Sequence, residues 1–426
     1  MPIPSEDSPP PRERAQTPSD DWSGIGDLLS LATQRLSAPV EGIHDAIADR
    51  WFGLAGGKGV SMRRVLGAYS GGIYGSIRAV GSILGGVIDL GTTLGGRRLG
   101  PLWKSPTGNG IQGVANAVWG DELARRRSGL RVELGLRDSK GQPVHCVPVD
   151  LQRTFPNPRP RLLVLIHGLG ETERCWRSRT DEAGEHESIG ELLGGDTFTP
   201  LTVRYNTGKH ISENGASLAA LLERIVSDWP LEVEEIALVG NSMGGLVARS
   251  SVVAGQAALH RWSHVVKHVI TLGSPHLGAP LEKMANIISW GLRIIPESRP
   301  LSEFLNDRSA GIKDLRHGAI QRDDWSERDL DALLTDTVGD TVELEGVQQH
   351  FVTGVITSES SHPMGILLGD LVVRVGSGIG RGRRRRIEAT DVRVISRRRH
   401  GDLIHDPAVL EQARQWLDVS VGSVRP

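Results

Sequence analysis

The chain has 426 residues, of which 38% are hydrophobic and 23% charged, and its formal net charge is −2. This composition is typical of a globular protein with one large or two smaller domains, and it provides no overall field that would favour nucleic acid or an anionic membrane. The two cysteines, Cys146 and Cys175, argue against a disulfide framework, and the N-terminus lacks the basic and apolar segments of a secretory signal. We therefore expect a cytoplasmic protein with free thiols.

The first third of the chain divides into a polar tail and an apolar region. Residues 1–21 are rich in Pro, Ser, Asp and Glu and are predicted to be disordered, whereas residues 22–128 are predicted to form a helical, glycine-rich N-terminal region. Within this region, residues 65–96 are nearly free of charge, with Arg78 and Asp89 as interruptions. Three interpretations stay open. The segment packs as helices against the main body, or it makes peripheral contact with a membrane without spanning it, or it spans the membrane, which Arg78 disfavours.

From residue 129 to about residue 420, apolar strands alternate with amphipathic helices. Two alternating segments around the turn SKGQP predict a hairpin. The strands predicted after it are RLLVLIHG, FTPLTVRY, IALVG, HVITLGS, HFVTGVI and DVRVIS, with helical patterns such as GASLAALLERIVSDW and PAVLEQARQWL between them. This alternation predicts an α/β fold with a mostly parallel central sheet and helices on both faces. Residues 281–335 depart from this alternation of strands and helices and are predicted to form a lid inserted over one end of the sheet.

A serine between two glycines follows one of these strands. Ser242, in LVGNSMGG, stands where the strand IALVG meets the next helix, and ligands collect at the carboxyl ends of parallel strands. A sharp turn at this point would lift the serine hydroxyl out of the sheet. Gly240 and Gly244 would leave room where strand and helix converge. Ser242 is therefore predicted to be a nucleophile.

A serine nucleophile needs a base and a carboxylate that orients the base. His400, after the last predicted strand, is the candidate base, and Asp370, in LLGDLVVR, is the candidate acid. His405 is the alternative base, and Asp391 and Asp402 are the alternative acids. The order serine, aspartate, histidine along the chain occurs in one of the fold families that use such a triad.

The anionic intermediate of acyl transfer needs two backbone donors. We predict that these are the N–H groups of Met243, directly after the serine, and of Leu169, in the loop HGLG. Three further histidines are expected to be structural. His167 would orient its loop, His210 would shape the mouth of the site or cap the next helix, and His276 would belong to the scaffold.

The run RGRRRR at residues 381–386 is strongly basic. A solvated loop is the simpler interpretation, and contact with anionic phospholipid headgroups is the alternative. Aromatic residues do not interrupt the run, so we expect no nucleic-acid partner.

The order of six segments resembles the α/β-hydrolase superfamily, and within it the lipases and esterases related to the inositol deacylases of GPI anchors. The segments are LIHGLG, RYNTGKHISENG, LVGNSMGGLVARS, TLGSPHLGAP, LLGDLVV and RRRHGDLIHDPAVLEQARQWL. The resemblance covers about residues 130–420. The family's acidic stretch usually reads Gly-Asp-Gly, whereas this chain has Gly369-Asp370-Leu371.

This resemblance implies an α/β-hydrolase catalytic domain at residues 129–420. It also implies a serine hydrolase that acts on carboxylic esters, with lipid-like esters as the expected substrates, through Ser242, His400 and Asp370. Neither a metal nor an organic cofactor is implied. The alternatives are an acyltransferase that uses the same acyl-enzyme and a non-catalytic protein that binds a lipid or a partner on a hydrolase scaffold.

Overall fold

A computed structural model describes residues 106–177, 188–279, 309–326, 342–360, 362, 369–370, 372–382 and 385–422. The predicted N-terminal tail, the apolar segment 65–96 and most of the predicted lid lie outside these residues. Within the ranges just given, no helix is long and apolar enough to cross a membrane.

One eight-stranded sheet organises this part of the chain, with the strand order β2-β1-β4-β3-β5-β6-β7-β8. Strand β1 pairs antiparallel with both β2 and β4, whereas the neighbours from β4 to β8 are all parallel. The predicted mostly parallel sheet is therefore confirmed. The strands are β1 Gly135–Arg137, β2 Pro143–Val144, β3 Arg161–Ile166, β4 Phe198–Arg204, β5 Glu235–Asn241, β6 Val266–Leu272, β7 Gln348–Val355 and β8 Asp391–Ser396.

Helices cover both faces of the sheet, as the sequence predicts. They are α1 Pro106–Arg125, α2 Pro148–Thr154, α3 Ile189–Gly194, α4 Ile211–Asp228, α5 Met243–Ala257, α6 Ala310–His317, α7 Val375–Gly378 and α8 Pro407–Gly422. Short 3₁₀ helices are formed by Glu173–Trp176, Arg261–His264, Arg322–Asp324 and His400–His405. Helix α1 is kinked at Trp119, whose φ of −130° and ψ of 19° are not helical.

Alternating side chains of the central strands fill two hydrophobic layers, because successive residues of a strand point to opposite faces. On one face, Leu162, Val164, Ile166, Ile236 and Leu238 pack with residues of α4 and α5 such as Leu218, Leu222, Leu246 and Val252. On the other face, Leu163, Leu165, Ala237 and Val239 pack with residues of α3 and α8 such as Leu193, Val409 and Trp416. The sheet is thus buried on both sides, which explains the nearly continuous apolar runs of its strands.

The predicted hairpin is present but short. Only Leu136 and Arg137 of β1 pair with Val144 and Pro143 of β2. The last four residues of the second predicted strand, 148–151, belong instead to helix α2, which begins at Pro148. Proline is well suited to the first helical position, because its fixed φ fits a helix and its missing N–H would have no partner there. This local signal outweighs the alternating pattern of VHCVPVDL.

Helix α1 comes from the predicted N-terminal region but lies against the sheet domain. The Asn116 side chain donates to the carbonyl of Leu130 at 2.8 Å, and the Asn206 side chain donates to the carbonyl of Gly120 at 2.8 Å. Ser309 lies within the predicted lid, where the described chain resumes, and it donates its hydroxyl hydrogen to the carbonyl of Ala117. The division of the chain at residue 129 stays a prediction. Helix α1 lies before this boundary, yet its hydrogen bonds join it to residues that follow the boundary.

The topology reverses beside β3. From β3 the chain passes to β4 on one side, and it then returns to β5 on the other side. In open α/β sheets such a switch point opens a crevice beyond the carboxyl ends of the strands. The loops after β3 and β5 border this crevice, and they carry the predicted oxyanion donor and the predicted nucleophile.

Candidate active site

Ser242 occupies a sharp turn between β5 and α5. Its backbone has φ 52° and ψ −118°, in a region that residues with a side chain rarely adopt. The Ser242 N–H donates to the carbonyl of Leu272 at 2.7 Å, and the Ser242 carbonyl accepts the hydroxyl hydrogen of Ser274 at 2.7 Å. Contacts of this kind hold a strained conformation that costs about 1–3 kcal/mol when it stands alone.

The two glycines of the motif make this turn possible. A Cβ atom on Gly240 would overlap with the backbone of Gly245, and one on Gly244 would overlap with the carbonyl of Ile166 at the end of β3. The helix therefore approaches both neighbouring strands more closely than any side chain would allow. The spacing of Gly-x-Ser-x-Gly follows from these two approaches.

The imidazole of His400 lies between Ser242 and Asp370. Its Nε2 is 2.9 Å from Oγ of Ser242, and its Nδ1 is 2.8 Å from Oδ2 of Asp370. Because a carboxylate only accepts hydrogen bonds, Nδ1 carries the hydrogen and Nε2 is left to accept from the serine hydroxyl. The side chain of Asp370 is fully buried, whereas that of His400 retains 19% exposure.

A tight turn fixes Asp370 without the second glycine of the usual Gly-Asp-Gly. Oδ1 of Asp370 accepts the N–H groups of Val372 at 3.0 Å and Val373 at 2.8 Å, and the Asp370 carbonyl accepts the N–H of His400 at 3.1 Å. Gly369 has a φ of 62°, and a Cβ atom there would overlap with the carbonyl of Val373. The geometry of the turn thus depends on the first glycine of the stretch.

The loop of residues 167–171, here called the oxyanion loop after its predicted role, passes beside Ser242, the candidate nucleophile. A Cβ atom on Gly168 would lie 3.2 Å from Cβ of Ser242. In this loop the N–H of Gly168 donates to Oε2 of Glu171 at 2.8 Å, and the N–H of Gly170 donates to Oγ1 of Thr207 at 3.3 Å. Among the described residues, the N–H of Leu169 has no acceptor.

The N–H of Met243 likewise has no acceptor in the described part of the chain. Met243 is the first residue of α5, and the first N–H groups of a helix have no partner within it and carry partial positive charge. The two predicted oxyanion donors are therefore N–H groups without an acceptor in the described part of the chain, one on the loop after β3 and one at the first residue of α5. This arrangement suits an anion that forms beside Ser242.

Residues 203–353 match the family model described as PGAP1-like alpha/beta domain. A search of curated proteins gave no match. The matched residues run from the end of β4 into β7 and include Ser242.

Solved structures of bacterial lipases and esterases are similar to this chain. The mature lipase BlEst2 of Bacillus licheniformis has 20% identity and a TM-score of 0.40, over 61% of this chain and 94% of that one. EstA from Clostridium botulinum has 13% identity and a TM-score of 0.38, over 63% and 89% of the two chains. The Staphylococcus hyicus lipase has 15% identity and a TM-score of 0.35, over 62% and 96%.

The alternative triad members make other contacts. Oδ2 of Asp391 accepts the indole N–H of Trp416 at 3.0 Å, and Oδ2 of Asp402 accepts the backbone N–H of Arg399 at 3.1 Å. His405 ends the 3₁₀ helix that begins at His400, and it lines a groove between α3 and α8. The hydrogen bond that orients the candidate base comes from Asp370.

Two polar residues at the site have no counterpart in the sequence analysis. Oε2 of Glu171 accepts the N–H of Gly168 at 2.8 Å and the side-chain amide of Asn241 at 2.9 Å. One carboxylate therefore ties the oxyanion loop to the residue directly before Ser242. Glu171 follows the motif HGLG in the sequence, but its position alone does not indicate a partner 70 residues away.

The buried His167 orients the oxyanion loop from inside. The N–H of Tyr205 donates to Nε2 of His167 at 3.2 Å, so Nδ1 carries the hydrogen and donates to the carbonyl of Gly168 at 3.0 Å. The Tyr205 hydroxyl donates to the His167 carbonyl at 2.8 Å, and the two rings stack. Burial lowers the pKa of His167, which keeps the ring neutral.

His210 and His276 have structural contacts. The ring of His210 stacks on Trp325 with 3.6 Å between centroids, and its Nδ1 is 3.0 Å from Oδ1 of Asp314. Asp314, rather than His210, accepts the first N–H of α4, which belongs to Ile211. His276 is buried against Phe351, and burial holds its pKa well below the usual value.

Two arginines of the basic run at residues 381–386 differ in their surroundings: one bonds to the folded chain and the other is exposed to solvent. Arg385 donates to the carbonyl of His317 at the end of α6, at 3.0 Å. Arg386 is exposed and pairs with the exposed Glu388 at 3.0 Å. Across the described residues, no group of three or more His, Cys, Asp or Glu side chains could hold a metal ion.

Proposed function

We propose that this protein is a serine hydrolase that cleaves carboxylic esters through an acyl-enzyme. The observation that supports this most directly is the continuous line of hydrogen bonds from Ser242 through His400 to Asp370. The lipase- and esterase-like fold supports ester hydrolysis in general, and the roles of individual residues are part of the proposal.

In the proposed first half-reaction, Oγ of Ser242 attacks the acyl carbon while Nε2 of His400 takes the hydroxyl proton. Asp370 holds the ring and stabilises the imidazolium that forms. The oxyanion accepts hydrogen bonds from the N–H groups of Leu169 and Met243. Neither N–H donates to any other acceptor among the described residues. As the carbon–oxygen bond of the ester breaks, the imidazolium returns the proton to the leaving alcohol.

In the second half-reaction, water attacks the acyl-enzyme while His400 again serves as the base. The tetrahedral intermediate uses the same two N–H donors, and its collapse releases the carboxylic acid and returns the proton to Ser242. The chemistry needs no redox step and no Lewis acid, because the bond broken is a polar ester. Binding of the acyl chain and of the alcohol would then decide specificity.

The test is activity-based labelling. We expect a fluorophosphonate to label the wild-type protein at Ser242 and to leave Ser242→Ala unlabelled. Turnover of p-nitrophenyl esters by Ser242→Ala should fall by roughly 10⁴–10⁶-fold. Ser251→Ala is the matched control, because this buried hydroxyl on α5 donates only to the carbonyl of Ala248. If Ser242→Ala kept wild-type turnover, the proposed mechanism would be wrong.

The same assay separates the two alternative functions. An acyltransferase would form the acyl-enzyme but would pass the acyl group to an added alcohol in preference to water, and product analysis measures that ratio. A non-catalytic binding protein would neither be labelled nor turn over a reactive ester.

The expected lipid-like substrates rest on the sequence resemblance to lipases and on the match to the PGAP1-like domain. A panel of esters with increasing acyl length is the direct test. Flotation of the full-length protein with vesicles tests the peripheral membrane contact suggested by residues 65–96. Failure to float, with zwitterionic and with anionic lipid, would exclude that contact.

A further inference from the structure

Helix α1 packs its backbone directly on the oxyanion loop. A Cβ atom on Gly113 would lie 2.6 Å from the carbonyl oxygen of Gly170 and 3.3 Å from that of Glu171. Real Cβ atoms do not approach a backbone oxygen to 2.6 Å, so only glycine permits this contact without a shift. Ala117, one helical turn further on, would lie 3.7 Å from a Cβ atom on Gly170. A stripe of small residues thus lets α1 approach the loop.

Polar side chains fix the same helix to the chain that follows the loop. The hydroxyl of Thr172 donates to Oδ1 of Asn109, and both residues are buried. Arg204 donates to Oε1 of Gln112 at 3.2 Å, and it forms a bidentate, buried pair with Glu173 in which both distances are 2.6 Å. These hydrogen bonds fix where α1 lies along the loop. The small residues Gly113 and Ala117 determine the distance between the helix and the loop.

The loop itself has few other supports at Gly170. This residue has a φ of 73°, and its N–H donates to Thr207 over a long 3.3 Å. The N–H of Leu169 belongs to the preceding residue, so a shift of the Gly170 backbone also moves this donor. A displacement of 1 Å at a reacting centre can cost about 10²-fold in rate, and loss of one oxyanion donor costs about 10²–10³-fold.

We propose that α1 is a positioning element of the active site, and that Gly113 sets the place of the oxyanion loop by its contact with Gly170. This inference rests on the proposed function and adds to it a residue outside the triad and outside the part of the chain that resembles hydrolases. Gly113 touches no reacting atom. It acts through the backbone of the oxyanion loop.

The test compares Gly113→Ala with two glycine variants in the full-length protein. Gly110→Ala is the local control, because Gly110 is exposed on α1 and a Cβ atom there would meet nothing within 4 Å. Gly255→Ala is the stability control, because a Cβ atom there would lie 2.6 Å from Cζ2 of Trp262, near the far end of α5. We measure kcat and KM on a short soluble ester, the rate of fluorophosphonate labelling, and Tm.

We expect Gly113→Ala to lower kcat by about 10-fold or more while KM changes by less than about 3-fold, because the lost interaction is one made in the transition state. Labelling should slow in parallel but still reach completion. Gly110→Ala should match wild type, and Gly255→Ala should lose Tm without losing kcat. A folded Gly113→Ala with wild-type kcat would overturn the inference.

A second pair of variants covers the case in which Gly113→Ala does not fold. Thr172→Val removes the hydroxyl that bonds Asn109 at nearly constant volume, whereas Thr172→Ser keeps it. We expect Thr172→Val to lower kcat and Thr172→Ser to retain most of the wild-type kcat. Equal kcat values for both variants and wild type would contradict the proposal that α1 positions the oxyanion loop. Absence of labelling in the wild-type protein would instead refute the proposed function.

Discussion

Ser242 and His400 are 158 residues apart in sequence, yet Oγ of the serine and Nε2 of the histidine lie 2.9 Å apart. The parallel strands β5 and β8 explain this, because their carboxyl ends point to the same edge of the sheet. Gly273, at the end of β6, lies between them, and a Cβ atom there would approach the His400 ring to 3.1 Å. The ring reaches the serine because the strand end between them carries no side chain.

We predict that His400→Ala abolishes ester hydrolysis and that His405→Ala does not. The His400 ring is within hydrogen-bond distance of both Ser242 and Asp370, whereas His405 lines the groove between α3 and α8. Turnover should fall by roughly 10⁴–10⁶-fold in the first variant and by less than about 3-fold in the second. Initial rates on a p-nitrophenyl ester measure both. An inactive, folded His405→Ala beside an active His400→Ala would contradict the assignment.

Asp370→Asn should reduce kcat by about 10³–10⁴-fold. The amide that replaces the carboxylate donates a hydrogen as readily as it accepts one, so it favours the wrong tautomer of His400 and cannot stabilise the imidazolium. KM and Tm should change little, since Asn can still accept the N–H groups of Val372 and Val373 through its oxygen.

Asp402→Asn and Asp391→Asn are the matched controls for this prediction. Each keeps an oxygen that can accept its present hydrogen bond, from Arg399 and from Trp416 respectively. Both controls should retain wild-type kcat. A large loss of kcat in either one, with Asp370→Asn still active, would move the role of the acid to that residue.

Local sequence patterns are sufficient to predict the sheet and to identify the candidate nucleophile. The alternation of side chains along β3 and β5 assigns each residue to one of two hydrophobic layers, which is a property of consecutive residues. The glycines beside Ser242 are likewise a local signal, because the backbone turn itself demands them.

Contacts between distant segments could not be predicted in this way. Glu171 and Asn241 meet because β3 and β5 are neighbours, and no periodicity relates a carboxylate after one strand to an amide at the end of another. The packing of Gly113 on Gly170 is likewise a contact between distant segments that no local pattern predicts. Glycine is frequent along the N-terminal region, so its pattern there did not identify the position that touches the oxyanion loop.

A buried pair of histidines lies at the amino ends of β6 and β7, away from the candidate active site. Nδ1 of His268 is 3.2 Å from Nε2 of His350, so one ring donates a hydrogen bond to the other. Burial, with the neighbouring His350 and Arg161, lowers the pKa of His268 to about 4. Burial also lowers the pKa of His350 to about 4, against an opposing effect of Asp391.

This pair predicts a loss of stability in mild acid. The unfolded chain binds protons near the usual histidine pKa of about 6.5, whereas the folded chain keeps both rings neutral until about pH 4. The stabilisation is therefore complete above pH 6.5 and is lost progressively as the pH falls towards 4.

His268→Asn, whose amide can replace Nδ1 as the partner of His350, should make the free energy of unfolding depend less steeply on pH across this window. The exposed His264→Asn should leave the slope unchanged. Urea unfolding between pH 4.5 and 7.5 measures all three proteins, and identical slopes for wild type and His268→Asn would rule out this origin of the acid sensitivity.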